Sequence, residues 1–406
     1  MITLKDIEDA KGRIEDHVYR TPCAKSEHFD EQAGTSALFY KMENLQRTGS
    51  FKERGALNKM LHLTAEERAR GVITASAGNH AQGVAYHTGR LGIDTTIVMP
   101  ERTPLVKVTS TRSFGARVVL HGNSFDEAYQ EAVRIQQRDN RCFIHPFNDR
   151  LVMAGQGTIG LELLEQNPYL EMVVVPIGGG GMISGIAVAM KETNPRVQVV
   201  GVQTSALPSM KRAVDAGKLV EIEPATTIAD GIAVKRPGDI TFEVIREYVD
   251  EIVTVDEEEI ANAILLLLER EKTVVEGAGA VGLAALLNGK IPKARGRKVA
   301  VVLSGGNIDM NVISRIIERG LVKDGRLVRL VVQMPDRPGT LARFVTAIGE
   351  QGANVVEIYH NRAFSRAALG EVQVEVTLET RGRSHINELV AALGLKGWAV
   401  REETTG

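Results

Sequence analysis

The chain has 406 residues, of which 43% are hydrophobic and 25% charged, and a formal net charge of −2. It is long enough for two or three domains with separate cores, and its near-neutral, interspersed charge argues against nucleic acid or an anionic membrane as a partner. Its two cysteines, Cys23 and Cys142, are too few for a disulfide framework, and the charged N-terminus has no apolar signal core. We therefore expect a cytoplasmic protein that binds no membrane.

Short apolar runs alternate with helical stretches along most of the chain. The runs predicted as strands are, in chain order, GVITAS (71–76), DTTIVMP (94–100), ARVVLHG (116–122), EMVVVPI (171–177), VQVVGVQ (197–203) and KVAVVLS (298–304). The stretches between them, such as AQGVAYHTGRLG (81–92) and FDEAYQEAVRIQQRD (125–139), are predicted as helices. Strands that are apolar on both faces and alternate with helices indicate an α/β fold with a mostly parallel sheet covered on both sides.

The pattern changes after LVKDGRL (321–327), which we interpret as a domain boundary. Four further strands are predicted at VRLVVQM (328–334), ANVVEIYH (353–360), EVQVEVTLE (371–379) and GWAVRE (397–402). Helices are predicted at GTLARFVTAIGEQG (339–352) and SHINELVAALG (384–394). The order βαββαβ predicts a ferredoxin-like domain at 328–406, which follows a core at 1–322.

Three of the predicted strands, which end at Ser76, Ile177 and Ser304, lead directly into small polar or glycine residues. Ligands of α/β sheets bind beyond the carboxyl ends of the strands, so these turns form the candidate site. The four glycines at 178–181 separate a strand from the helical stretch MISGIAVAMK, which is the arrangement of a phosphate cradle. They match neither common nucleotide motif, so the phosphate is expected to belong to another kind of ligand.

Three more segments contain residues suited to chemistry. Lys52 lies among small residues in TGSFKERGA (48–56), where burial would lower its pKa and make its amine a nucleophile for a carbonyl group. The turn in TASAGNHAQG (74–83) offers backbone N–H groups to a carboxylate, and Asn79 can donate to an oxyanion. In VVLSGGN (301–307), the Ser304 hydroxyl follows a strand. Taken singly, each segment could equally be a surface charge, a turn or a helix cap.

The conjunction of these segments, in this order, resembles a known family. Together with YRTP (19–22), ENLQRTGSFK (43–52), HPFND (145–149) and TIADGIAV (227–234), they resemble fold-type II pyridoxal-phosphate enzymes of the threonine ammonia-lyase, or threonine dehydratase, group. The resemblance covers about residue 5 to 320 and implies a tryptophan-synthase-β-like core, with a small domain at roughly 46–146 inserted in a large one. MPDRPGTLARF (334–344) and GANVVEI (352–358) resemble an ACT regulatory domain.

The resemblance implies a role for each candidate residue. Pyridoxal 5′-phosphate would be the cofactor, Lys52 the catalytic residue that holds it as an imine, and Phe51 a further cofactor contact. Asn79 would bind the 3′ oxygen of the ring, and Ser304 would face its pyridine nitrogen. The phosphate would be held by Gly178, Gly179, Gly180, Gly181 and Met182, and the substrate carboxylate by Ser76, Ala77, Gly78, Asn79 and His80.

A neutral serine beside the pyridine nitrogen limits the reaction. Unlike a carboxylate, Ser304 does not stabilise a protonated ring, so a long-lived carbanion is disfavoured and β-elimination is favoured over transamination. We therefore expect L-threonine, and also L-serine, to be converted to 2-oxobutanoate or pyruvate and ammonia, with Lys52 taking the Cα proton.

Three alternatives stay open at this point: serine racemase/dehydratase, hydroxyaspartate ammonia-lyase, and a non-catalytic amino-acid sensor. Ala77 stands where the racemases of this group have a serine as second base, and an alanine cannot protonate a substrate. Gln203 and Ser209 stand where racemases have acidic metal ligands, so no metal site is expected, although a monovalent cation stays possible. The intact Lys52 and Ser304 argue against the sensor.

The ACT-like tail suggests regulation. By resemblance, such domains pair across chains and bind a small amino acid, here near Asp336, Gly339, Thr340 and Asn354. We expect a branched-chain effector, because 2-oxobutanoate feeds isoleucine synthesis, and a homodimer or homotetramer; a purely structural tail is the alternative.

The roles of two acidic segments have to be checked against the structure. Glu276 could either support the cofactor pocket or cap a helix. The run DEEE at 256–259 is interpreted as a solvated helix start, where acidic side chains complement the helix dipole.

Overall fold

The computed structural model describes residues 1–362 and 368–403. The chain divides into two compact units, of which the first is Met1–Asp309 and the second begins at Met310. Residues 363–367 and 404–406, which belong to the domain predicted at 328–406, lie outside the described residues. None of the helices in the described ranges is long and apolar enough to cross a membrane.

The first unit alternates strands and helices as the sequence predicts. Its strands are β1 (Cys23–Lys25), β2 (Ala37–Lys41), β3 (Val72–Ala75), β4 (Thr95–Met99), β5 (Arg117–Leu120), β6 (Cys142–Phe143), β7 (Met172–Pro176), β8 (Gln198–Thr204), β9 (Glu251–Val255) and β10 (Lys298–Val302). Its helices are α1 (Leu4–Ile14), α2 (Asp30–Ala33), α3 (Lys52–Leu61), α4 (Ala65–Arg70), α5 (Asn79–Leu91), α6 (Leu105–Ser113), α7 (Phe125–Asp139), α8 (Arg150–Gln166), α9 (Gly181–Thr193), α10 (Ser209–Ala216), α11 (Asp239–Tyr248), α12 (Glu257–Glu269) and α13 (Gly277–Leu287).

These strands form two sheets. One has six strands in the order β1-β2-β10-β7-β8-β9, and all of its pairs are parallel except β1 with β2. The other has four parallel strands in the order β5-β4-β3-β6. The six predicted strands and the α/β class are confirmed. The strand pattern alone did not reveal that β3, β4, β5 and β6 form a sheet of their own, although all four lie within the range of 46–146 that the family resemblance implies for a small domain.

The local sequence explains the main elements. Strand β7 is buried along its whole length because it lies between β10 and β8, which matches its unbroken apolar run. Helix α7 begins where the Ser124 side chain accepts a hydrogen bond from the Glu127 N–H, a common N-terminal cap. Helices α8 and α9 pack against each other and contribute Ile159, Leu163 and Ile186 to the large core.

The second unit contains α14 (Met310–Lys323), β11 (Leu327–Pro335), α15 (Thr340–Glu350), β12 (Asn354–Asn361), β13 (Glu371–Glu379), α16 (Arg383–Leu395) and β14 (Val400–Glu402). Its sheet is antiparallel in the order β12-β13-β11-β14, which confirms the predicted βαββαβ arrangement. Phe344 and Leu389 pack on Val374 in its core. Helix α14 packs against β11 and so groups with this unit, whereas the sequence predicted a core extending to 322; the exact domain boundaries stay a prediction.

Candidate active site

One cavity of about 590 Å³ in the first unit contains the predicted site residues. It is lined by segments that follow β3 of the small sheet and β7 and β10 of the large sheet. The predicted residues that line it are Phe51, Lys52, Ser76, Ala77, Gly78, Asn79, His80, Gly178, Gly179, Gly180, Gly181, Met182 and Ser304. Every residue that the sequence assigns to the cofactor or the substrate carboxylate therefore lies on the wall of a single cavity.

Lys52 is the first residue of α3, and its backbone position is fixed from the large sheet. The Phe51 N–H donates to the Ser304 carbonyl oxygen at 3.1 Å, which joins the start of α3 to the end of β10. The Lys52 Nζ donates to the Pro146 carbonyl oxygen at 2.9 Å. Burial lowers the pKa of this amine to about 8, against an opposing effect of the Glu276 carboxylate. Lys52 is thus the kind of amine that reacts readily with a carbonyl group.

The pKa of Lys52 gives a measurable pH dependence. In the cofactor-free protein, acetylation of Lys52 by acetic anhydride should rise with a midpoint near pH 8, because only the neutral amine reacts. Lys5 is a matched control, since its hydrogen bond to Asp9 raises its pKa above the ordinary value and its reaction should begin at higher pH. Peptide mass spectrometry measures both residues in one sample. Equal midpoints for the two lysines would contradict this description of the Lys52 environment.

The turn after β3, from Ser76 to His80, lines the cavity; its Ser76 N–H donates to the Val98 carbonyl oxygen at 3.1 Å and its Gly78 N–H to the Ser76 hydroxyl oxygen at 3.2 Å. Helix α5 begins at Asn79, and the first N–H groups of a helix have no partner within it, so they suit a carboxylate. The His80 side chain is not a charged partner here: its Nε2 lies 2.9 Å from the Ile144 carbonyl oxygen. Burial lowers its pKa to about 3, which keeps the imidazole neutral.

Glu276 belongs to the cavity wall and does not cap a helix with its side chain. It precedes α13, but its carboxylate makes no capping hydrogen bond there. Instead its Oε1 accepts from the Asn79 Nδ2 at 2.8 Å, and the Asn307 Nδ2 donates to the Asn79 Oδ1 at 2.5 Å. Burial raises the pKa of Glu276 to about 7. The Asn79 amide is therefore held from both sides, an arrangement that the sequence left open.

The glycine loop is a cradle that only glycine fits. Gly180 has φ +95°, in the left-handed region that other residues disfavour. A Cβ on Gly179 would lie 2.3 Å from the Phe147 Cγ, so a side chain at this position would collide with the Phe147 ring. The Thr241 hydroxyl donates to the Gly179 carbonyl oxygen at 2.6 Å, and α9 begins at Gly181. Phe147, from the HPFND segment, is a packing partner of this loop that sequence reasoning missed.

Replacing Gly179 by alanine should weaken cofactor binding, because the added methyl group forces Phe147 or the loop to move. Overpacking of this kind costs about 1–3 kcal/mol. The measurement is a cofactor titration followed by absorbance. Gly12→Ala is the matched control, since a Cβ there meets nothing within 4 Å. If Gly179→Ala binds the cofactor as tightly as Gly12→Ala, the loop is not the cradle described here.

The interpretation of DEEE as a solvated helix start is wrong for Glu257. Its Oε2 accepts from the Ile228 N–H at 2.7 Å, and its Oε1 accepts from the Thr227 hydroxyl at 2.6 Å. Asp256 does cap α12, through a reciprocal pair of hydrogen bonds with Glu259. Glu257 thus anchors the TIADGIAV segment, which continues along the cavity wall from Asp230 to Val234.

The two positions that match racemase metal ligands make protein contacts. The Gln203 side chain donates to the Ile177 carbonyl oxygen at 3.3 Å and accepts from the Lys211 N–H at 2.9 Å. The Ser209 hydroxyl donates to the Val234 carbonyl oxygen at 2.6 Å. Across residues 1–362 and 368–403, no group of three or more His, Cys, Asp or Glu side chains is arranged to hold a metal ion.

The predicted effector residues do not come together within one chain. Asp336, Gly339 and Thr340 follow the carboxyl end of β11, and Asp336 forms an ion pair with Arg362 at 2.7 Å. Asn354 is aligned with Glu379, which in turn pairs with Leu327 at the opposite end of β11. Since a strand rises about 3.4 Å per residue, the two groups are separated by roughly the length of this nine-residue strand.

The cavity residues fit pyridoxal phosphate, which has an aldehyde, a phosphate and an aromatic ring. The Lys52 amine suits the aldehyde, and the glycine cradle at the start of α9 suits the phosphate. Asn79 and Ser304 offer polar groups on the wall of the same cavity for the edge of the ring. The fit rests on these groups and on the glycine loop, which Phe147 covers so closely that a Cβ at Gly179 would collide with its ring.

Comparisons with known proteins agree with this fit. Residues 14–305 match the family described as pyridoxal-phosphate dependent enzyme, and residues 328–394 match the ACT domain. The chain is 54% identical to a Thermotoga maritima protein named L-threonine ammonia-lyase, over 99% of both chains. The structure of maize serine racemase is similar with a TM-score of 0.75 and 35% identity, covering 79% of this chain and 98% of that one. Threonine deaminase isoform 2 from Solanum lycopersicum is similar with a TM-score of 0.74 and 37% identity, covering 78% and 86%. The chain therefore belongs to the pyridoxal-phosphate dependent enzymes, as a lyase-type member with a C-terminal ACT domain.

Proposed function

We propose that this enzyme is an L-threonine ammonia-lyase that also accepts L-serine. The observation that carries the proposal is the Lys52 amine, with its pKa lowered to about 8, in the cavity that also contains the Ser76–His80 turn. The full-length similarity to the Thermotoga protein supports threonine as the main substrate. The product of threonine would be 2-oxobutanoate, and that of serine pyruvate, each with ammonia.

Lys52 acts on the proton at Cα of the substrate. When bound, the cofactor would supply an aldehyde group for the substrate amine and a conjugated ring that withdraws electrons from Cα. A general base works best when its pKa lies near the operating pH, and a lysine with a pKa of about 8 meets that condition. The N–H groups at the start of α5, within the Ser76–His80 turn, hold the carboxylate, which orients the Cα–H bond toward Lys52.

Two other residues direct the reaction toward elimination. The Ser304 hydroxyl is neutral, so it does not stabilise a long-lived negative charge at Cα. Loss of the β-hydroxyl as the Cα proton leaves avoids that charge and is therefore favoured. Ala77, on the cavity wall, has no group that could return a proton to the opposite face of Cα. Racemisation is therefore disfavoured, although serine racemases are among the structural neighbours.

The test is turnover by the cofactor-loaded protein with L-threonine, L-serine and 3-hydroxyaspartate as separate substrates. Oxo-acid production and chiral chromatography of the remaining amino acid distinguish elimination from racemisation. We expect oxo acid from threonine with the highest kcat/KM, a lower value for serine, and no D-serine. D-serine as the main product, or no turnover of any substrate by a protein that contains cofactor, would contradict the proposal.

We also propose that the ACT domain makes this cytoplasmic enzyme respond to a branched-chain amino acid, which fits a role before isoleucine synthesis. The two groups of effector residues lie at opposite ends of the sheet in one chain, so a joint site needs a second copy of the domain. This supports a homodimer or homotetramer. Isoleucine or valine should shift activity by about 1–3 kcal/mol of coupling free energy. Asn354→Ala should remove that response, and an unchanged response would rule out this site.

A further inference from the structure

Charged side chains line the cavity. Four of them form two ion pairs, Lys107 with Asp230 and Lys235 with Asp126, which we call the mouth of the cavity. Four basic and four acidic side chains line the cavity, so its formal charge is balanced; they are Lys52, Lys107, Lys235, Arg236, Asp126, Glu221, Asp230 and Glu276. Asp230 belongs to the TIADGIAV segment that Glu257 anchors, whereas Lys107 is on α6 beside the small sheet. The two halves of the first unit thus both contribute charges to this mouth.

Two lysines of the mouth each have an aspartate partner from the other half. The Lys107 Nζ lies 3.2 Å from the Asp230 Oδ2. In the second pair the positions are exchanged: the lysine, Lys235, belongs to the TIADGIAVK stretch, and the aspartate, Asp126, is on α7 beside the small sheet. The Lys107 side chain is 24% exposed and that of Asp230 is 62% exposed. Lys107 is therefore a mostly covered cation of the cavity wall, and its neutralising partner is on the outer side.

Lys107 and Asp230 also act on the groups deeper in the cavity. The charges of both change the pKa of Glu276, in opposite directions, while burial has the largest effect on it. Glu276 accepts the hydrogen bond from Asn79 in the turn that is expected to bind the substrate carboxylate. The Lys107–Asp230 pair thus lines the same cavity as the turn that is expected to bind the substrate.

We propose that Asp230 determines substrate specificity by pairing with Lys107 and neutralising its charge, so that a β-hydroxy amino acid with a second carboxylate is rejected. The proposal rests on the proposed function and names the substrates that this site excludes. A side-chain carboxylate entering the cavity meets a cation that is already neutralised and the negative charge of Asp230 beside it. Threonine and serine have uncharged side chains, so the pair does not repel them.

The test compares kcat/KM for 3-hydroxyaspartate with that for threonine in Asp230→Asn. Freeing Lys107 and removing the repulsion should raise this ratio by about tenfold or more. Adding Lys107→Met to Asp230→Asn should remove most of the gain, because the repulsion by Asp230 stays absent but no free cation is left to attract the second carboxylate. Lys107→Met alone leaves Asp230 unpaired, so it should increase the inhibition constant of 3-hydroxyaspartate relative to the unmodified enzyme.

Asp215→Asn is the matched control. Asp215 is also 62% exposed and pairs with Lys211 at 3.1 Å, but it lies on α10 and is not among the cavity residues. It changes the net charge equally, so its ratio should stay at the unmodified value. An equal ratio in Asp230→Asn and Asp215→Asn, or a gain that persists undiminished in the double variant, would overturn the proposal. Failure of the unmodified enzyme to turn over threonine would instead overturn the proposed function.

Discussion

Lys52→Ala is expected to lower threonine turnover by about 10²–10⁴-fold or more, the usual contribution of a positioned general base. The loss should be large because the same amine is also expected to tether the cofactor. The variant should retain its fold, since the Lys52 side chain makes one hydrogen bond, to a carbonyl oxygen, among the contacts described. Oxo-acid production measures turnover, and the absorbance of the bound cofactor measures the tether.

Lys59→Ala is the control for this change. Lys59 is on the same helix, with its Nζ 2.8 Å from the Asp149 Oδ2, and it is not among the residues that line the cavity. Both side chains of this pair are mostly covered, 20% and 16% exposed, so its loss should lower stability, but turnover by the folded enzyme should stay near the unmodified value because Lys59 does not line the cavity. A Lys52→Ala enzyme that turned over threonine as fast as Lys59→Ala would remove Lys52 from the mechanism.

Arg54→Met is expected to cause the largest loss of stability. Arg54 is fully buried, and its guanidinium donates to Glu43 at 2.8 Å and to Glu162 at 2.6 Å. Removing one partner of a buried ion pair leaves charges without compensation and typically costs about 3–5 kcal/mol. The Thr21 hydroxyl also donates to Glu43, and Lys41 pairs with Glu162. Calorimetry or chemical denaturation of the cofactor-loaded protein measures the change.

The exposed pair of Arg138 with Asp139 provides the comparison. Its nitrogen and oxygen lie 2.6 Å apart, but the Arg138 side chain is 57% exposed, so Arg138→Met should cost about 0–1 kcal/mol. Equal unfolding midpoints for the two variants would show that the buried cluster does not hold α3 in place. The cluster also explains two motifs: YRTP contributes Thr21, and the ENLQ segment contributes Glu43.

The sequence was most informative where chemistry follows the end of a strand. Asn79, Gly179 and Ser304 belong to short segments that follow predicted strands, so their common location could be predicted. Lys52 follows no predicted strand, and its place beside them was implied only by the family resemblance. The contacts that orient these side chains could not be predicted. Glu276 and Asn79 are 197 residues apart, and nothing local in either segment indicates the hydrogen bond between them.

The same reason accounts for the elements that were missed. Strands β2 and β9 alternate in burial or are only partly buried, so they have no long apolar run. Glu257 has the sequence signature of any acidic residue at a helix start, and only the tertiary structure shows that it anchors a loop of the cavity. For the effector residues, the order of strands in the sheet separates Asn354 from Asp336, which the order of motifs along the chain does not reveal.

Borohydride reduction of the cofactor-loaded enzyme, followed by peptide mapping, tests the central claim most directly. Reduction fixes the cofactor to the amine that holds it, and mass spectrometry then identifies the labelled lysine. The account predicts one labelled site, Lys52, in the peptide that contains TGSFKERGA. The account would be contradicted if the reduced cofactor were attached to another lysine of the cavity, such as Lys107 or Lys235, or if the cofactor were released and no peptide were labelled.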